Sequence, residues 1–162
     1  MTDLSALALT LGELLQARGE TVATAESCTG GLIATAITEI PGSSAWFGFG
    51  FVSYANAAKQ HMLAVPAALL TQHGAVSEAV VGAMAEGART AAVADWAIAV
   101  SGVAGPAGGS PEKPVGTVCL AWAGAAGIRT QMRHFAGNRQ AVRQQTAEYA
   151  LAGLIDIIRE QK

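Results

Sequence analysis

Segments of helical period alternate along this chain with short runs that read as buried strands, and that interleaving limits the folds open to it more than any other feature. Leu4, Leu7, Leu11, Leu14 and Leu15 recur at helix spacing, with Thr2 or Asp3 as N-cap and Gly19 as the stop. Residues 21–25 read as a short buried strand, and 32–39 as the helix that follows it. Residues 47–54 are aromatic and β-branched enough for a strand despite Gly48 and Gly50. Two short helices are expected over 57–63 and 67–72, and a longer one, capped by Ser77, runs to about residue 93. Trp96-Ala97-Ile98-Ala99-Val100 is a buried strand. Residues 115–122 and 128–135 form a hairpin around Gly124-Ala125-Ala126-Gly127. Asn138 caps a last helix whose buried stripe includes Ala147, Ala150, Leu151, Leu154 and Ile158.

Helices interleaved with buried strands point to an α/β fold, a three-layer α/β/α sandwich with a C-terminal helix. The closing hairpin makes the sheet mixed, mostly parallel, rather than purely parallel. The 162 residues are expected to form a single domain, 1–162, burying roughly 70 % of the surface that the unfolded chain exposes. With 51 % of residues hydrophobic, a full core needs neither disulfides nor metal. A net charge of −2 argues against nucleic acid as a partner, since such binders usually carry a basic stripe. The two cysteines, Cys28 and Cys119, form no CxxC pair, which fits a reducing compartment. The first residues show no signal peptide and no apolar stretch is long enough to span a bilayer, so a cytoplasmic protein without a membrane partner is expected. His61, His73 and His134 lack metal-ligand spacing, and no metal or cofactor is expected.

Three constellations could carry chemistry. In the first, Glu26-Ser27-Cys28-Thr29-Gly30-Gly31 breaks a strand and leads into a helix, whose free N–H groups and dipole favour an anion. Ser27 there is either a nucleophile or, with Thr29, an ordinary helix cap; Cys28 is an alternative nucleophile. The second is Ser53-Tyr54-Ala55-Asn56-Ala57-Ala58-Lys59, in which a desolvated lysine could serve as the base that a serine hydroxyl requires. A solvated lysine beside a core tyrosine is the plainer reading. The third is residues 101–116, with five Gly and three Pro after a buried strand, where open α/β sheets place ligands. Its Gly amides and Lys113 suit a phosphate or carboxylate, although a flexible loop would share that composition. Arg133, His134, Arg139 and Arg143 give the last strand and helix a cationic beginning, and Trp46 and Phe47 either fill the core or stack on a planar ring.

These pieces occur together in one family. The runs Thr24-Ala25-Glu26-Ser27-Cys28-Thr29-Gly30-Gly31, Pro41-Gly42-Ser43-Ser44, Phe51-Val52-Ser53-Tyr54 with Asn56 and Lys59, His73-Gly74-Ala75-Val76-Ser77-Glu78, Ser101-Gly102-Val103-Ala104-Gly105-Pro106 with Gly108-Gly109, and Lys113-Pro114-Val115-Gly116-Thr117-Val118 resemble the CinA carboxy-terminal domain family. Stand-alone members are known as nicotinamide-nucleotide amidases, or NMN deamidases. The resemblance therefore implies an amidase converting nicotinamide mononucleotide to nicotinic acid mononucleotide and ammonia, without the pyrophosphatase activity associated with the extra amino-terminal domain of longer CinA proteins. It implies Ser27 as nucleophile, Lys59 as general base and Tyr54 relaying or orienting the proton, with Thr29 and the Gly30 and Gly31 amides at the oxyanion or substrate. Ser101, Gly102, Gly105, Gly109, Lys113 and Arg139 are the candidates for ribose-phosphate recognition. Many members read Gly-Asp-Arg where this chain has Gly137-Asn138-Arg139. The family also suggests a homo-oligomer. A silent nucleotide-binding or competence-related module, and an amidase for another small amide, are the alternatives.

Overall fold

The computed structural model describes residues 3–161; Thr2, the alternative first cap, lies outside them. The helices are α1 (Leu4–Arg18), α2 (Leu32–Thr38), α3 (Asn56–Leu63), α4 (Ala67–His73), α5 (Glu78–Ala92) and α6 (Arg139–Glu160). The strands are β1 (Val22–Glu26), β2 (Phe47–Val52), β3 (Trp96–Gly102), β4 (Thr117–Gly124) and β5 (Gly127–His134). Local chemistry sets the helix ends as the sequence suggested. Asp3, Ser77 and Asn138 cap α1, α5 and α6 through their side chains, and Gly19 ends α1 in the left-handed region.

The strands form one sheet in the order β2-β1-β3-β4-β5. β1 lies parallel to both β2 and β3, whereas β3–β4 and β4–β5 are antiparallel. Four strands therefore point one way and only β4 points the other. β2 tolerates its glycines through a register shift: Val22 pairs with Phe47 but Ala23 pairs with Phe49, leaving Gly48 in a bulge at the sheet edge.

Alternate residues of each strand face opposite layers, and the two faces differ in size. Val22, Ile98, Val100 and Leu120 pack with α1, α2 and α6. On the other face Ala23, Ala25, Ala97, Ala99, Ala121 and Ala123 make a floor of methyl groups beneath α5, whose Val80, Val81, Met84 and Ala88 cover it. Each tryptophan packs on a glycine: a Cβ on Gly12, Gly124 or Gly153 would stand 2.6, 2.5 or 2.4 Å from the indole of Trp46, Trp96 or Trp122. Trp46 is thus a core residue, with Phe47 packed partly buried against the same cluster, and neither is a stacking platform.

Two local expectations change. The 41–44 segment contains the start of a short 3-10 turn, Ser43–Ala45. β2 stops at Val52 instead of continuing to Tyr54: the Ser53 amide still bonds the Glu26 carbonyl of β1, but the carbonyls of Ser53 and Tyr54 turn to Lys59.

Candidate active site

The chain must leave β1 and enter α2 within residues 27–31, and that demand builds the centre of the site. Gly30 and Gly31 make the turn at φ 59° and 104°, a region that residues with a Cβ rarely enter. Glu26, the last residue of β1, bends its buried carboxylate onto the start of α2. Its Oε1 accepts from the Ile33 amide at 2.9 Å and the Thr29 hydroxyl at 2.6 Å, and its Oε2 accepts from the Ala34 amide at 3.0 Å. Arg143 of α6 holds the same turn from outside, donating to the carbonyls of Cys28 at 3.1 Å and Thr29 at 3.0 Å. Ser27 stands at the head of this clamped turn, its amide bonded to the Val100 carbonyl of β3 at 3.2 Å.

Lys59 approaches from α3. The Ser53 amide donates to the Glu26 carbonyl at 2.8 Å, which brings the end of β2 beside the end of β1. Lys59 Nζ lies 3.0 Å from Ser27 Oγ, 2.9 Å from the Ser53 carbonyl and 3.0 Å from the Tyr54 carbonyl. The side chain is 1 % exposed, and the ion pairs among the described residues, Arg18–Glu20 and Arg129–Glu160, do not include it. Burial lowers its pKa below the ordinary lysine value, with the neighbouring Cys28 thiol acting weakly the other way. A neutral amine has two N–H bonds and one lone pair. Two carbonyls and one serine hydroxyl match that set.

The adjacent thiol is in a different state. Burial pushes Cys28 up to about 11, with Glu26 adding to the rise, and its own amide, Arg143 and Lys59 opposing it. A thiol held that high is protonated near neutral pH, and the thiolate is the nucleophilic form. The chemistry of the turn therefore favours Ser27.

A cavity of about 200 Å³ opens on the pair. It lies beyond the carboxyl ends of β1, β2 and β3, where the strand order reverses and open α/β sheets bind ligands. Ser27, Tyr54, Lys59, Ser101, Gly102 and Arg139 all line it. Gly105 adjoins it through its carbonyl, which accepts from Arg139 Nη1 at 2.8 Å. A larger cavity of about 530 Å³ lies between β5 and α6, but it contains no serine, cysteine or lysine. Reactive groups, not volume, mark the smaller one.

Several expected residues take other positions. Tyr54 touches Lys59 through its main-chain carbonyl; the residue is 61 % exposed, and its phenol oxygen meets Arg139 Nη2 at 3.4 Å rather than Lys59 or Ser27. Thr29, Gly30 and Gly31 do not line the cavity. Thr29 is fully buried on Glu26, the Gly30 amide donates back to the Ser27 carbonyl at 3.1 Å, and Glu26 already occupies the start of α2. The Gly30 amide is therefore committed to the turn itself, and the carboxylate that the start of α2 holds is the protein's own, on the Ile33 and Ala34 amides. Lys113 and Gly109 also lie apart: Lys113 Nζ donates to the His73 carbonyl at the end of α4, and Gly109 shapes the loop's own turn at φ 85°. Arg133 stacks on Tyr149 at 4.7 Å, away from the cavity.

Glu26, Ser53, Asn56 and Arg143 carry parts of the site without having been singled out for them. A carboxylate directly after a buried strand was the available signal for Glu26, since a buried charge must find donors. Asn56 lines the cavity at the start of α3. Among the described residues no cluster of three or more His, Cys, Asp or Glu could hold a metal ion, and no helix is long and apolar enough to cross a membrane.

Fold and cavity together define a class: a three-layer α/β protein with a buried serine–lysine contact at the carboxyl edge of a mixed sheet. Within that class the chain belongs to the CinA C-terminal domain family, whose model matches residues 4–158. It is 55 % identical over 157 residues to the nicotinamide-nucleotide amidohydrolase PncC of Pseudomonas putida, covering 97 % of this chain and 98 % of that one. Identity to the protein of the same name from Escherichia coli K12 is 56 % over 157 residues, 95 % of either chain. The crystal structure of a CinA superfamily protein from Klebsiella pneumoniae 700603 matches with a TM-score of 0.95 at 40 % identity, covering 98 % and 99 % of the two chains.

Proposed function

We propose that this protein hydrolyses the carboxamide of nicotinamide mononucleotide, giving nicotinic acid mononucleotide and ammonia, with Ser27 as nucleophile and Lys59 as general base. The observation that carries the chemistry is the 3.0 Å contact between Ser27 Oγ and a buried lysine amine that has no carboxylate partner among the described residues. The names of full-length relatives at 55 % and 56 % identity support the substrate.

In this reading Ser27 Oγ attacks the carboxamide carbon as its proton passes to the Lys59 lone pair. The Ser53 and Tyr54 carbonyls steady the ammonium that forms. Lys59 then returns the proton to the departing nitrogen, the C–N bond breaks and ammonia leaves an ester on Ser27. Water adds to that ester with Lys59 again accepting a proton, and the acid and free serine are released. The oxyanion donors in this reading are the Cys28 amide, which bonds no carbonyl among the described residues, and the Ser101 hydroxyl; both residues line the cavity. Arg139, at the cavity rim with no carboxylate partner among the described residues, suits the ribose phosphate. The protein acts in the cytoplasm without a cofactor, and exposed Phe49 and Val52 on edge strand β2 favour a homo-oligomer.

Ammonia release from a panel of nicotinamide mononucleotide, nicotinamide riboside, nicotinamide and unrelated primary amides tests the reading. Mononucleotide should turn over fastest, with stoichiometric nicotinic acid mononucleotide. Silence across the panel would leave a binding or competence-related module, and preference for an unrelated amide would replace the substrate.

A further inference from the structure

The proposed mechanism leaves Glu26 without a role, although its side chain makes as many hydrogen bonds as that of Lys59. It is 1 % exposed and accepts three hydrogen bonds through its two oxygens, all from donors on the segment that follows Ser27. Its main-chain carbonyl accepts the Ser53 amide at 2.8 Å and lies 3.4 Å from the Ser53 hydroxyl. Ser53 in turn offers its carbonyl to Lys59 Nζ. One residue is thus bonded to both halves of the pair: its side chain fixes the turn that presents Ser27, and its main chain fixes the segment that cradles Lys59.

We infer that Glu26 is a positioning residue for catalysis, which holds Ser27 Oγ at bonding distance from Lys59 by filling the N-terminus of α2 from inside the protein. A carboxylate is needed because every bond is one it accepts. The two amides and the hydroxyl leave no place for a donor, so a side-chain amide at this position would set an NH₂ group against an N–H group. Arg143 completes the clamp by holding the carbonyls on the far side of the same turn. With Glu26 in place, the start of α2 is closed to an external anion. The substrate's negative group must therefore be met elsewhere on the rim, where Arg139 stands.

This inference rests on the serine–lysine reading, and Glu26→Gln separates the two. The variant keeps shape and volume but loses one acceptor, so the turn should relax by a fraction of an ångström to an ångström. Misplacement on that scale costs on the order of 10²-fold. We expect kcat for nicotinamide mononucleotide to fall about 10- to 100-fold with KM within about twofold. Inactivation by a serine-directed fluorophosphonate should slow by a similar factor. The pH at which kcat/KM rises should stay where it is, because the base is unchanged. Thr29→Val, which removes one donor and keeps the carboxylate, should show a smaller loss of the same pattern and keeps the test open if Glu26→Gln does not fold. A folded Glu26→Gln protein with ordinary kcat and ordinary fluorophosphonate reactivity overturns the inference, as does a Thr29→Val protein without any loss when it alone can be measured. Ser27→Ala in the same assays identifies the other failure: if it retains activity, the serine reading itself is wrong.

Discussion

Gly87→Ala places a methyl group on α5 far from any reactive atom, yet the structure predicts that it damages the site. A Cβ at Gly87 would stand 1.9 Å from the carbonyl oxygen of Leu63, the last residue of α3. Carbon–oxygen contacts settle near 3.3 Å, so α3 would have to retreat by about 1.4 Å. Leu63 is one helical turn beyond Lys59, and α3 is too short to bend away at one end without moving the other. The Lys59–Ser27 distance of 3.0 Å should open by about the same amount. Loss of that alignment predicts a kcat roughly 10²-fold lower. Overpacking costs about 1–3 kcal/mol, and the better helix propensity of alanine returns up to ~1 kcal/mol. A net loss of about 1–2 kcal/mol lowers Tm by roughly 2–8 °C in a chain of this size. Steady-state ammonia release and a thermal melt measure both effects. An alanine variant with an unchanged or higher Tm and ordinary turnover would show that α3 does not depend on this contact and would refute the reasoning.

Two further predictions follow from the charges. In the proposed mechanism Lys59 works as the neutral amine, so kcat/KM should rise with pH through a pKa depressed below the ordinary lysine value by burial and should reach its plateau before an exposed lysine would titrate; Lys59→Arg, which stays protonated, should be nearly inactive, and near-normal turnover in that variant would reduce Lys59 to a charge contact. Arg139 should contribute about 10- to 100-fold to the preference for mononucleotide over riboside, the value of one charge-assisted bond, so Arg139→Ala should lower kcat/KM for the mononucleotide and leave the riboside little changed; equal values for both substrates in the unaltered enzyme would mean that the phosphate is not recognised.

Elements marked by local rules were legible in the sequence. The Leu4–Leu15 stripe, the Ser77 and Asn138 caps and the Gly19 stop reappear as α1, α5 and α6, since each depends on residues a few positions apart. The apolar run from Trp96 to Val100 became the centre of the sheet, with β1 on one side and β4 on the other. The residue types offered Lys59 as a base for a serine, but only the resemblance joined it to Ser27, because 32 residues separate them and their contact depends on β1 lying beside β2. The residues that took other positions did so for separate reasons. Gly30 and Gly31 looked like an anion site because nothing local revealed that Glu26 would turn back onto the helix they precede. Lys113 looked like a phosphate ligand because composition does not show which way a loop folds, and here the loop carries it to α4. Tyr54 lines the cavity, but it presents its carbonyl rather than its phenol to Lys59.

Ser27→Ala and Cys28→Ala, assayed side by side for release of ammonia from nicotinamide mononucleotide, test the central claim most directly. The two residues are neighbours on one turn and only one can be the nucleophile. Ser27→Ala should lose at least about 10³-fold in kcat/KM with its Tm little changed, because a serine nucleophile supplies a loss of that order or more. Cys28→Ala should retain most of the activity, since its thiol stays protonated. An active Ser27→Ala enzyme, or a dead but folded Cys28→Ala enzyme beside it, would contradict the serine–lysine account.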